Sequence, residues 1–366
     1  MSMTSLRRRL SWVTLIMTAV AAVVTAPSQA FALTLQQEAG QRIIYSYTGL
    51  TPPASLIQRI ESGQAAGVIF FGDNISSDNQ ISSVVTELRQ ANAQSPVHEP
   101  LLLMTDQEGG EVRRLPGSPV QSEKQIGQSA NPVAAAGQAG HDAGENLRSV
   151  GMNMNLAPVL DVYYQAGNFI DEFQRSYSNN SSTVSSLGQA MITNQQAVGA
   201  AATAKHFPGL GSATTSQNTD SVPVTLNLSL NQLRSTDEAP YPAAIAAGVK
   251  LIMVSWAVYP ALDASRPAGL SSAIVQGELR NRLGYQGVTI TDAIEAGALQ
   301  SFGSDGNRSV LAAQAGMDLI LCANGSVSQG DGVNSALVSA LQNGQLSQSS
   351  FDGAVNRITA LRNSLP

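Results

Sequence analysis

Short apolar runs alternate with longer amphipathic stretches along most of the chain. Eight runs have the length of a strand, and several are rich in Val and Ile: 42–47, 67–71, 101–106, 152–158, 201–207, 251–256, 287–292 and 318–323. Runs of this kind suit strands that are covered on both faces, as the strands of a parallel sheet are. The pattern therefore predicts eight buried, parallel strands.

Helical periodicity occupies the segments between and after these runs. It covers residues 77–93, 133–150, 183–198, 241–248, 272–283, 307–316, 333–343 and 347–363. Strand–helix alternation implies right-handed crossovers and a parallel sheet. Eight such units without a compositional break favour a closed barrel over a doubly wound sheet. We therefore expect an α/β fold in which residues 33–366 form one (β/α)8 TIM-barrel domain, a fold that often reaches this length.

The first 32 residues have the features of a signal peptide. Arg7, Arg8 and Arg9 precede an apolar stretch over residues 10–25, and small residues before Ala30 and Ala32 offer cleavage sites. The apolar stretch is short for a membrane-spanning helix, and its flanks are those of an export signal. We expect a secreted protein that keeps no stable membrane anchor after cleavage.

Charge and cysteine content exclude several classes of function. Without residues 1–32 the chain keeps 17 basic and 26 acidic residues, a net charge of about −9, which argues against a nucleic-acid partner. Cys322 is the only cysteine, so no disulfide framework exists. The chain has no HExxH, EF-hand or Cys/His cluster, and its Gly209–Gly211 segment lacks the rest of a nucleotide-binding loop. We expect no metal and no cofactor.

Charged residues stand where three of the predicted strands end. Asp106 closes the third strand, Lys205 and His206 the fifth, and Asp292 the seventh. Each acid alone could cap the following helix. In a parallel barrel, however, the carboxyl ends of the strands meet at one face, where active sites are built. The set together predicts a site at that face.

These strand ends carry motifs that resemble glycoside hydrolase family 3. Residues 106–114 read DQEGGEVRR, residues 205–209 read KHFPG, and residues 287–292 read GVTITD, in the order found in that family. Residues 156–161 (LAPVLD) and 175–177 (RSY) are similar to two further family segments. The resemblance extends from about residue 41 to residue 363. It is closest to the single-domain bacterial β-N-acetylhexosaminidases that trim cell-wall sugars.

The resemblance implies a retaining glycosidase with Asp292 as the nucleophile. It implies that Asp106 accepts sugar hydroxyls and that cationic residues donate to the same sugar by charge-assisted hydrogen bonds: Arg114, Arg175, Lys205 and His206. Arg114 and Arg175 could instead form surface ion pairs, and His206 could be a structural histidine. Trp256, at the end of the sixth strand, is expected to stack on a sugar ring, the alternative being packing at the barrel mouth.

The general acid of the family has no counterpart in this sequence. Leu210 and Val222 stand where the resemblance leads us to expect histidines, whereas Asp220 is kept. Asp220 could act as the acid/base if its pKa is raised. Glu295 is a weaker candidate, because it is expected to start a helix.

Two functions therefore follow from the sequence. The favoured one is a secreted hydrolase that removes terminal β-linked sugars, in particular N-acetyl-β-D-glucosaminides, from a cell-wall or chitin-type oligosaccharide. The alternative is a catalytically weakened or non-catalytic carbohydrate-binding relative. Whether water or phosphate is the acceptor stays open.

Overall fold

The computed structural model describes residues 33–366, and the predicted signal peptide lies outside them. The described chain forms a closed barrel of eight parallel strands, in chain order around the barrel. The strands are β1 (Ile43–Tyr45), β2 (Gly67–Ile69), β3 (Leu102–Thr105), β4 (Met154–Asn155), β5 (Ala201–Phe207), β6 (Leu251–Val254), β7 (Val288–Ala293) and β8 (Leu319–Leu321). β8 closes the ring on β1, with Ile43 opposite Ile320. The predicted (β/α)8 barrel is confirmed.

Neighbouring residues of a strand point to opposite faces of the barrel wall, and both faces are buried. Ile44, Met104 and Ile290 belong to the core inside the barrel. Ile43 and Leu103 belong to the core between the strands and the helices. This two-sided burial explains why the strands appear as continuous apolar runs rather than as alternating ones.

Helices surround the barrel and connect its strands. The α-helices span Leu35–Gly40, Ala54–Glu61, Asp78–Asn92, Glu123–Gly127, Pro132–Ser149, Phe169–Glu172, Ser181–Ala197, Leu230–Gln232, Tyr241–Ala246, Asp305–Ala315, Val327–Gln342 and Gln348–Asn363. Wider π-helical turns span Leu233–Asp237 and Ala273–Arg282. Short 3-10 turns span Gly72–Asn74, Ala268–Leu270 and Gly297–Phe302. Within residues 33–366, no helix has the length and apolar character that crossing a membrane requires.

One helix begins earlier than its periodicity predicts. The pattern places its start at residue 333, but the helix runs from Val327 to Gln342. Its first turns are rich in polar residues and glycine, which carry no apolar period. They are fixed by tertiary contacts instead: Gly330 packs on the Tyr45 ring, and Gln329 donates to Glu295.

Long connections follow several strands at the carboxyl end of the barrel. A hairpin of Gln107–Gly109 and Val112–Arg113 follows β3 directly. A second hairpin, Val258–Tyr259 with Asp263–Pro267, follows β6. The loop after β5 reaches the segment after β7, where Gly297 N donates to Asp220 O. The hairpin after β3 and the segments after β5 and β7 contribute residues to the wall of one pocket.

Candidate active site

A pocket of about 300 Å³ opens at the carboxyl end of the barrel. Seven of the residues expected in the site line it: Asp106, Arg114, Arg175, Lys205, His206, Asp220 and Asp292. Ile69, Phe71, Leu156, Met253 and Leu321 add apolar surface. The volume is at the low end for ligand pockets and suits a small ligand with both polar and apolar faces.

Lys205 joins the two acids of the DQEGG segment. Its Nζ lies 2.7 Å from Asp106 Oδ1 and 2.7 Å from Glu108 Oε1. The Lys205 side chain is almost fully buried, so its charge needs these partners to offset the loss of hydration. Asp106 is more accessible, and its second oxygen accepts no hydrogen bond within residues 33–366.

Glu108 also holds Arg175. Arg175 Nε donates to Glu108 Oε2 and Nη2 to Oε1, both at 2.8 Å. Burial by itself raises the pKa of Glu108, but the Arg175 and Lys205 cations outweigh it and lower the pKa to about 2. No role for Glu108 follows from the sequence. The sequence signal that could have pointed to Glu108 is its charge, two positions beyond Asp106 in the same motif.

His206 is oriented by a carboxylate from the loop after β4. His206 Nδ1 lies 2.7 Å from Asp161 Oδ2, and its Nε2 lies 3.5 Å from Arg175 Nη2. Asp161 also accepts the backbone N–H of Leu210 at 2.7 Å. Asp161 is fully buried, and the sequence assigned it no role in the site. It fixes both the His206 ring and the start of the next loop.

Arg114 adds a further cationic side chain to the pocket, with its Nε buried. It lines the pocket, and its Nε has no hydrogen-bond partner among residues 33–366. Its backbone N–H donates to Asp106 O across the base of the hairpin at 3.2 Å. The hairpin thereby places the Arg114 side chain on the same wall as Asp106.

Asp292 and Asp220 form the opposite, acidic side of the pocket. Asp292 lies near the end of β7, and its Oδ1 accepts the N–H of Ala293 at 2.8 Å. Asp220 is carried by a turn in which its N–H donates to Asn218 Oδ1 at 2.9 Å. Backbone hydrogen bonds hold that turn against the segment after β7, from Gly297 N to Asp220 O and from Ala298 N to Thr219 O. The approach is so close that a Cβ at Gly297 would collide with the carbonyl of Ser221.

The two acids interact strongly. The negative charge of Asp292 raises the pKa of Asp220, and burial adds to the shift. His206 and Arg175 offset it only in part, so the pKa of Asp220 reaches about 6. A carboxyl group with such a pKa can exist in both protonation states near neutral pH, as a general acid/base must.

Glu295 also lines the pocket, contrary to the expectation that it starts a helix. The following 3-10 turn begins only at Gly297. Glu295 Oε2 accepts hydrogen bonds from the side-chain amide of Gln329 at 2.9 Å and from the backbone N–H of Ala323 at 3.3 Å. Burial raises the pKa of Glu295, and these hydrogen bonds oppose the shift. The carboxylate is thus fixed to the loop after β8.

The prediction that Trp256 stacks on a sugar ring is wrong. Trp256 is 0% exposed and lines no part of the pocket. Its ring packs against Gly269, and its indole N–H donates to Ala293 O at 2.9 Å. The strand-end position suggested the mouth, whereas the turn over Ala268–Leu270 covers the ring. Val222 is 40% exposed and does not line the pocket either.

The family model of the glycosyl hydrolase family 3 N-terminal domain matches the sequence over residues 34–361. The chain belongs to glycosyl hydrolase family 3. It is therefore a glycosidase by family, and the motif residues that pointed to this family from the sequence meet in one pocket.

Family 3 relatives match nearly the whole chain. A protein of Arthroderma benhamiae named an uncharacterized secreted glycosyl hydrolase is 49% identical over 94% of this chain and 97% of its own. Beta-hexosaminidase A of Pseudoalteromonas piscicida is 30% identical over 86% of this chain and 56% of its own. The structure of a family 3 β-N-acetylglucosaminidase from Paenibacillus sp. matches with a TM-score of 0.86 and 35% identity, over 91% of this chain and 63% of that one. This chain thus spans little more than half of the Pseudoalteromonas enzyme and less than two thirds of the Paenibacillus one.

Proposed function

We propose that the protein is a secreted, exo-acting β-N-acetylhexosaminidase that retains the anomeric configuration. The observation that carries this proposal is the pairing of two acids in one pocket with the cationic cluster: Asp292 with Asp220, whose pKa is about 6. Relatives named β-hexosaminidase and β-N-acetylglucosaminidase support the substrate class. The secreted Arthroderma relative and the signal-like residues 1–32 support export.

The terminal sugar would be bound by the polar wall on the β3, β4 and β5 side. Asp106 accepts sugar hydroxyls, while Arg114, Arg175, Lys205 and His206 donate to them. Charge-assisted hydrogen bonds of this kind give affinity for a neutral polyol. A pocket of about 300 Å³ would accommodate one terminal sugar, with the rest of the oligosaccharide outside it.

The chemistry would proceed in two steps. In the first, protonated Asp220 donates its proton to the glycosidic oxygen while an Asp292 oxygen bonds to the anomeric carbon, and the leaving alcohol departs. In the second, ionised Asp220 takes a proton from water, whose oxygen displaces Asp292 from the anomeric carbon. Neighbouring residues partly desolvate the Asp220 carboxyl group, yet the residue keeps solvent-exposed surface, so a leaving alcohol and water could both reach it.

Release of 4-nitrophenol from 4-nitrophenyl N-acetyl-β-D-glucosaminide tests this function. The wild type is expected to turn over, and Asp292→Asn to lose at least about 1,000-fold in kcat. 4-Nitrophenyl β-D-glucoside tests the acetamido preference in parallel. Absence of turnover of either glycoside by folded protein would contradict the proposal.

A sugar-binding protein without turnover is the second candidate. Val222, which replaces an expected histidine, is exposed and points no polar group into the pocket. An activated 2-fluoro glycoside separates the two candidates, because it forms a covalent adduct only with a working nucleophile. Mass spectrometry that finds the adduct on Asp292 supports the hydrolase; binding of the sugar without an adduct supports the alternative.

A further inference from the structure

Glu108 lies directly beneath the cationic wall of the pocket without lining it. Its side chain is 1% exposed, and its two oxygens accept from three N–H groups. Arg175 supplies two of them, both at 2.8 Å, and Lys205 the third at 2.7 Å. One buried carboxylate thus joins two cations that the pocket presents to its ligand.

Arg175 depends on this carboxylate more than Lys205 does. Glu108 is the one carboxylate at salt-bridge distance from Arg175 among residues 33–366, whereas Lys205 also has Asp106. A planar guanidinium held through two parallel hydrogen bonds has a fixed orientation. Without that anchor, its long side chain would regain rotamers that do not face the ligand.

Lys205 is shared between an acid that lines the pocket and one that does not. Asp106 and Glu108 each lie 2.7 Å from Lys205 Nζ. If Glu108 were neutral, the ammonium group would rely on Asp106 alone. Asp106 would then interact more strongly with Lys205 and accept a hydrogen bond from a ligand hydroxyl less readily.

We propose that Glu108 is a positioning residue that sets the sugar affinity of the pocket by holding Arg175 and Lys205 in place. It does not touch the sugar. The proposal rests on the function proposed above, in which both cations donate to sugar hydroxyls. Arg175 and Lys205 lower the pKa of Glu108 to about 2 against the effect of burial, which favours the ionised carboxylate near neutral pH.

Glu123 offers a matched control for the same substitution. It is also 1% exposed, but it makes no salt bridge with either cation. Its Oε1 accepts the N–H of Val159 at 2.9 Å, which a glutamine oxygen can also do. Burial and the nearby charge of Glu108 raise the pKa of Glu123 well above its usual range, so Glu123→Gln has the shape and neutral charge of the form that its surroundings favour.

The first experiment measures acetylation of Lys205 by acetic anhydride, with Lys250 as the internal reference. In Glu108→Gln the amine loses one of its two carboxylates, so the ratio of Lys205 to Lys250 labelling should rise at least fivefold. Glu123→Gln should stay within twofold of the wild type. Since no sugar is involved, this result can be interpreted even if the proposed glycosidase activity fails. Unchanged labelling in Glu108→Gln would refute the positioning role.

The second experiment measures KM and kcat on 4-nitrophenyl N-acetyl-β-D-glucosaminide. Glu108→Gln should raise KM at least tenfold and change kcat less than threefold, whereas Glu123→Gln should change neither more than twofold. Glu108→Asp keeps the charge but cannot reach both cations, so its KM should lie in between; it also carries the test if Glu108→Gln does not fold. Circular dichroism and the melting temperature report folding. A lower melting temperature with an unchanged KM would mean that Glu108 acts only on stability.

Discussion

Replacement of Asp220 by asparagine tests the central step of the mechanism. The substitution keeps the shape of the side chain but removes the proton that the first step requires. General acid catalysis contributes about 100- to 10,000-fold to such reactions. We expect a loss of this size in kcat/KM for phenyl N-acetyl-β-D-glucosaminide, whose leaving phenol has a pKa of about 10 and needs protonation. For the 2,4-dinitrophenyl glycoside, whose leaving group needs little help, the loss should be less than about tenfold.

The pH dependence of kcat/KM tests the same assignment independently. With a pKa of about 6, Asp220 is roughly 90% protonated at pH 5 and roughly 10% protonated at pH 7. The acid form is the one that the first step uses. Wild-type kcat/KM should therefore fall about tenfold between pH 5 and pH 7, and this basic limb should disappear in Asp220→Asn.

Glu295→Gln is the matched control, because Glu295 lines the pocket as a third carboxyl group beside Asp220 and Asp292. It should keep both the dependence on the leaving group and the basic limb. An equal loss for both leaving groups in Asp220→Asn, with the limb still near pH 6, would refute the assignment. If Glu295→Gln instead shows the leaving-group-dependent loss and lacks the basic limb, Glu295 is the acid.

Three further predictions concern other parts of the molecule. Asp292→Asn should lower the pKa of Asp220 from about 6 towards the usual range, since Asp292 is the largest cause of the shift; carbon-13 NMR titration of the carboxyl group measures this, and an unchanged pKa would contradict the coupling. Trp256→Phe should leave KM within about twofold but lower kcat, because the indole N–H donates to Ala293 O, next to the proposed nucleophile Asp292, and the ring does not line the pocket; a tenfold higher KM would restore the stacking role. Asp318→Ala should lower the free energy of unfolding by about 3–5 kcal/mol, since it leaves buried Arg280 without its carboxylate; urea denaturation measures this, and a loss below about 1 kcal/mol would show that water replaces the partner.

The fold could be predicted because local pattern and global fold agree. Each strand of the barrel is covered on both faces, so its sequence is apolar throughout and recognisable without knowledge of its neighbours. The same logic brought Asp106, Lys205 and Asp292 together, since the carboxyl ends of parallel strands share one face. The start of the Val327–Gln342 helix could not be predicted, because contacts with Tyr45 and Glu295 rather than periodicity fix it.

Within the site, the sequence determined which chemical groups are present, and the tertiary structure decided what each one touches. The motifs and the loop after KHFPG supplied three acids, Asp106, Asp220 and Asp292, and several cations, but burial and spacing across the barrel are properties of no single segment. Glu108 meets Arg175 from 67 positions away, and Asp220 has its pKa raised by Asp292 from another loop. Trp256 is turned inward by a segment that follows it. Charge coupling and desolvation act through space, so only the folded chain could set the pKa of Asp220 and the partners of Glu108.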